Sequence, residues 1–128
     1  MPVYTPLRTN LKGTVRDIQL LSMRWKESAF SADFAGIDGQ FLRIGFPRPL
    51  AVRVLDHISV TKLEIGPQDG ASARFFAYEV FAAPFYLDHL SGLEEVNEAA
   101  KHYRFIVIDQ CLDVISVDPP AMRKLTQV

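Results

Sequence analysis

The stretch AFSADFAGIDGQFLRIGF, residues 29–46, constrains the fold more than any other part of the chain. Asp38-Gly39 between two apolar runs is a hairpin signal. A two-residue turn would set Phe34 against Arg43 and Asp33 against Ile44, which pairs badly. A three-residue loop, Ile37-Asp38-Gly39, puts Gly39 at the left-handed position that this loop type wants. Phe34 then faces Leu42, Ala32 faces Ile44 and Phe30 faces Phe46. On the other face Asp33 lies opposite Arg43. Apolar pairs sort to one side and a charge pair to the other, which fixes the register.

The rest of the chain reads as strands joined by short loops. Residues 1–13 carry Pro2, Pro6 and Gly13 and read as an extended arm. Residues 14–25 fit either a helix or a strand, and the hairpin that follows favours a strand from about Ile18 to Lys26. Pro47 and Pro49 stop the sheet ladder. Residues 50–65 are β-branched, with a break near Asp56-His57 dividing two strands. GPQDGAS, 66–72, is a loop, and residues 73–82 form another strand ended by Pro84. FYLDHL suggests a short helical turn. SGLEEVNEAAK, 91–101, has the capping box Ser91/Glu94, acidic residues first and Lys101 last, and is the best helix. Residues 119–128 read as a tail. The expected architecture is α+β: a single domain over 1–128, with a mainly antiparallel curved sheet or partial barrel of about six or seven strands, packed on the helix at 91–101.

Composition bounds the function. A chain of 128 residues with 48% hydrophobic and 23% charged residues can bury a core without disulfides or metals. A net charge of −1 gives no general attraction to nucleic acid or anionic lipid. Arg43, Arg48 and Arg53 are diluted by apolar and Pro residues and read as ordinary surface. One cysteine excludes an internal disulfide and suits a reducing cytosol. MPVYTPLRTNLKG lacks the apolar segment of a signal peptide, and no apolar run approaches a membrane span. A cytoplasmic protein is expected, with no membrane partner.

HYRFIVIDQCLDVIS, 102–116, gathers His102, Asp109, Cys111 and Asp113 and tests for catalysis. Read as a hairpin turning at Asp109-Gln110, it pairs Ile108 with Cys111 and His102 with Val117. His102 and Cys111 then share a face six positions apart, on the order of 20 Å at ~3.3 Å per residue. That is too far for a nucleophile and its base. Asp113 lies diagonally near Arg104, as in a cross-strand ion pair. His57, His89 and His102 have no metal-binding spacing, and neighbours such as Asp56 and His57 point to opposite faces of a strand. No phosphate-binding glycine motif, nucleophile elbow or CxxC is present. No catalytic residue, metal or cofactor is assigned.

Two binding readings follow. Trp25 or Tyr86, with Arg24 nearby, would anchor a protein partner or a second copy, and an exposed edge strand could add to a partner sheet. Alternatively, Phe75, Phe76, Tyr78, Phe81, Phe85 and Tyr86 would line the cavity of a small apolar-ligand carrier. An enzyme with a site assembled from distant residues is the third reading. Trp25, Arg24, Tyr78, Phe85 and Tyr86 are thus the candidate binding residues. KHYRFIVIDQCLDVISVDPP resembles the closing hairpin of small single-domain bacterial proteins of unknown function, over roughly residues 73–120. Some proteins of that kind accompany secreted toxins as immunity partners. The resemblance implies tight protein binding and transfers no functional residue.

Overall fold

A computed structural model describes residues 3–9, 11, 16–56, 75–91, 99–107 and 110–126 of the chain. The strands are β1 (Val3–Pro6), β2 (Gln19–Lys26), β3 (Ala29–Ala35), β4 (Phe41–Phe46), β5 (Ala51–Asp56), β6 (Ala77–Phe81), β7 (Lys101–Ile106), β8 (Gln110–Ser116) and β9 (Ala121–Leu125). Among the described residues one α-helix, α1 (Pro84–Ser91), follows β6. The strands form two antiparallel sheets, ordered β1-β6-β7-β8-β5 and β2-β3-β4-β9. The fold is therefore mainly β, in two sheets that do not close into a barrel, in place of the single curved sheet or partial barrel expected. It has nine strands among the described residues, more than the six or seven anticipated.

The hairpin of residues 29–46 sets the four-stranded sheet. Its pairs are Phe30 with Phe46, Ala32 with Ile44, Asp33 with Arg43 and Phe34 with Leu42, the register expected from the sequence. Ile37–Gly39 makes one 3-10 turn, and Gly39 takes a left-handed φ of 71°. Alternation then buries Phe30, Ala32, Phe34, Leu42, Ile44 and Phe46 on one side. That side packs on Tyr103, Phe105 and Val107 of β7 and its end, with Leu112 and Val114 of β8. Ring meets ring across the gap, with Phe34–Phe105 centroids 5.8 Å apart and Phe46–Tyr103 5.6 Å apart.

Several expected boundaries shift. Part of the arm at 1–13 is β1, an edge strand paired with β6, where a terminal Pro6 is tolerated. Part of the tail at 119–128 is β9, paired with β4. Its five residues put Met122 and Lys124 on the inner side, so no apolar alternation announced it. β8 ends at Ser116, ahead of Pro119-Pro120, and a further strand follows. FYLDHL, suggested by the sequence as a short helical turn, lies within α1, and Lys101 opens β7. Residues 92–98 of the expected 91–101 helix, the strand expected at 59–65, and His57 lie outside the described residues.

Candidate functional site

Two regions bring chemistry-bearing side chains together. The first is the side of the five-stranded sheet that faces away from the other sheet. Register places Tyr78, Arg104, Asp113 and Arg53 on one rung across β6, β7, β8 and β5. Alternation puts His102 and Cys111 on the same side, flanking that rung. β7 and β8 pair Ile106 with Cys111 and His102 with Ile115, two positions from the register expected. His102 and Cys111 are thus nearer than expected, and the Arg104–Asp113 pair, directly opposite and not diagonal, lies between them.

Asp113 is the hub. Its Oδ1 accepts from Arg104 Nε at 2.6 Å and lies 2.6 Å from His102 Nε2. Its Oδ2 accepts from Arg53 Nη2 at 2.8 Å and faces Cys111 Sγ at 3.9 Å. A carboxylate can only accept, so His102 Nε2 carries the hydrogen of its contact. Arg104 also donates through Nη1 to the Tyr4 hydroxyl. Burial alone would raise the Asp113 pKa. The His102 hydrogen bond and the Arg104 charge outweigh it and hold the carboxyl well below its usual range. Burial disfavours the charge on Arg104, and Asp113 outweighs that effect and raises its pKa. Burial dominates at Tyr4 and raises its pKa despite Arg104.

Helix α1 lies over this network. The Phe85 ring sits 4.3 Å from the Arg53 guanidinium carbon, and Tyr86 stacks parallel to His102. Tyr86 donates its hydroxyl hydrogen to Ala100 O, and Tyr78 donates to Phe75 O. The side chains of Asp113, Arg104 and His102 are 0% exposed. His102 Nε2 points at Asp113 and not at sulfur, and two guanidinium groups already flank the carboxylate, which opposes a metal cation there. The arrangement is that of a buried ion-pair network that joins β1, β5, β7 and β8 and is covered by the helix. Among the described residues, no group of three or more His, Cys, Asp or Glu is disposed to hold a metal.

The second region is the outward side of the four-stranded sheet. The rung Arg24–Ser31–Gly45–Ala121 runs across β2, β3, β4 and β9. Three small residues in line leave an open depression of about 450 Å³, whose lining includes Arg24, Lys26, Arg43 and Pro47. The next rung is Ser22–Asp33–Arg43–Arg123. Asp33 is buried and accepts from Arg43 Nε at 2.7 Å and Nη2 at 3.0 Å, with Arg24 at 3.6 Å. The Arg43 hydrogen bond leads the effects that hold the Asp33 carboxyl below its usual pKa.

β2 forms the rim. Among the described residues it pairs on one side only. An irregularity between Leu20 and Ser22 inserts Leu21, a bulge that returns Leu20 inward opposite Phe34. Beyond it Met23 and Trp25 lie on the side of Ala32 and Phe30, while Arg24 and Lys26 lie on the side of Ser31 and Ala29. Leu21, Met23 and Trp25 remain 43%, 42% and 57% exposed.

The five candidates from the sequence therefore separate. Arg24 and Trp25 share the exposed edge but project to opposite sides. Tyr78, Phe85 and Tyr86 belong to the far side of the other sheet. The six aromatics considered for a cavity also divide: Phe76 joins the core between the sheets, Tyr78 the opposite side, and Phe75 and Phe81 are exposed. Arg43 and Arg53, read as ordinary surface, each clamp a buried aspartate. The Asp33–Arg43 pair was visible in the hairpin register. Arg53 and Asp113 are 60 positions apart, and only the β5–β8 pairing joins them. No helix among the described residues is long and apolar enough to cross a membrane. No protein family, curated protein or solved structure matches this chain.

Proposed function

We propose that this domain works by binding a protein partner through the exposed edge of its four-stranded sheet. The observation that carries the reading is β2, whose apolar residues Leu21, Met23 and Trp25 remain at the surface beside an edge without a neighbouring strand among the described residues. A free edge offers backbone donors and acceptors to an incoming strand, and alternate side chains supply selectivity. Trp25, tilted against Phe30 with ring centroids 5.1 Å apart, is a rigid aromatic of the kind that dominates interface energetics. A toxin is one such partner, in keeping with the immunity-like resemblance of the C-terminal hairpin. A single cysteine, Cys111, buried in the sheet, suits a reducing cytoplasm. A carrier would need an enclosed apolar cavity of roughly 300 Å³ or more. The ring contacts of Phe34, Phe46, Phe76, Tyr103 and Phe105 favour a filled core instead.

The test is capture of a stoichiometric partner by the intact protein and by Trp25→Ser and Met23→Lys variants. Wild type should retain the partner, and both variants should lose it with their melting temperatures unchanged. Capture that persists in both variants removes β2 as the interface. Failure of wild type to retain any partner counts against the binding reading.

A further inference from the structure

We infer that the partner presents an acidic, extended segment, whose carboxylates lie over the depression beside β2. This rests on β2 being the binding edge, and it adds the chemistry of what binds there. The outward side of the sheet is strongly cationic for a chain of net charge −1. Arg24 and Lys26 stand on β2, and Arg43 and Arg123 stand behind them. The carboxylate described on this side, Asp33, is buried under Arg43 and Arg24. Ser31, Gly45 and Ala121 form a floor of small residues that supplies no charge.

A strand added along β2 places its alternate side chains about 5 Å from Arg24 and Lys26. Carboxylates at those positions meet cations at the rim, with room beyond for their side chains. The intervening positions meet Met23 and Trp25 on the other side. The selected segment therefore alternates acidic with apolar residues. A second copy fits poorly. Two β2 edges joined in one continuous sheet would bring Arg24 and Lys26 of each copy onto the same side, where like charges repel. A nucleic acid is also less suited. The chain carries no net positive charge to draw a polyanion, and a nucleic acid backbone does not complete a sheet edge.

The test uses the full chain and labelled ten-residue peptides alternating Glu-Val, Ser-Val or Lys-Val, read by fluorescence anisotropy, with a ten-nucleotide single-stranded DNA beside them. The Glu-Val peptide should bind about tenfold more tightly than Ser-Val, as expected for two or more exposed ion pairs, and should weaken as salt rises. An Arg24→Gln/Lys26→Glu double variant, checked for an unchanged melting temperature, should lose that preference and favour Lys-Val. Equal binding of Glu-Val and Ser-Val overturns the acidic segment while leaving edge binding intact. Binding of none of the peptides overturns both. DNA binding as tight as Glu-Val makes the surface a polyanion site. Sedimentation showing a dimer that blocks peptide binding makes it a self-association edge. Either result ends the inference.

Discussion

Asp113 holds together side chains from three strands, and its charge is what Arg104 requires. Replacing it with Asn keeps the shape but leaves the buried guanidinium without this counter-charge. Breaking one partner of a buried pair costs about 3–5 kcal/mol. Urea titration of Asp113→Asn at pH 7 should show a loss of that size. The pH dependence has a definite sign. The folded-state pKa of Asp113 is depressed, against ~3.9 in an unfolded chain. Its contribution is fully present above about pH 4 and is lost as pH falls from there toward the folded value. Asp33 is depressed as well and acts in the same direction. Urea midpoints of wild type should therefore fall below about pH 4, and the Asn variant should fall less steeply. Glu27 holds a φ of 57° in the turn between β2 and β3. Glu27→Gly should raise stability by about 1 kcal/mol in the same titration, by removing a left-handed strain that a Cβ incurs.

The two hairpins show what pairing logic can resolve. In residues 29–46, Asp33 and Arg43 break the apolar pattern at one rung, so a slip in register would strand them, and the loop with Gly39 was identifiable. In residues 102–116 His102 and Cys111 share a face, as expected, but the register is displaced by two positions. A slip of two leaves every side chain on its own face, and Asp109-Gln110 is no strong turn pair to forbid it. The same slip hid the direct Arg104–Asp113 opposition, and Arg53 lay too far along the chain to suggest itself. β1 and β9 are edge strands and carry little apolar alternation for a sequence to show. The glycines of the first hairpin should respond differently. At Gly39 a Cβ meets nothing within 4 Å, so Gly39→Ala costs only its backbone strain, about 1 kcal/mol. At Gly45 a Cβ makes ordinary contact with Phe30 O at 3.9 Å and Ala121 O at 4.0 Å. Thermal melts should place Gly45→Ala near wild type and Gly39→Ala below it.

The molecule depends on the seam between its sheets. Phe105 is buried there and meets Phe34 and Phe46 of the four-stranded sheet, with Phe76 beside it. Phe105→Ala should cost about 3–5 kcal/mol, since a cavity bordered by both sheets closes poorly. Chemical denaturation followed by far-UV circular dichroism and by tryptophan emission should shift together, because one core joins the sheets. The polar network on the far side has a consequence for how the chain is made. Arg104 bonds to Tyr4 across 100 positions, and Arg53 to Asp113 across 60. A growing polypeptide that has not reached Asp113 carries both arginines with no access to the carboxylate that joins them. The five-stranded sheet is therefore completed late, after β8 has left the ribosome. Its closure joins strands far apart in sequence, β1 with β6 and β5 with β8, the non-local pairing that slows folding.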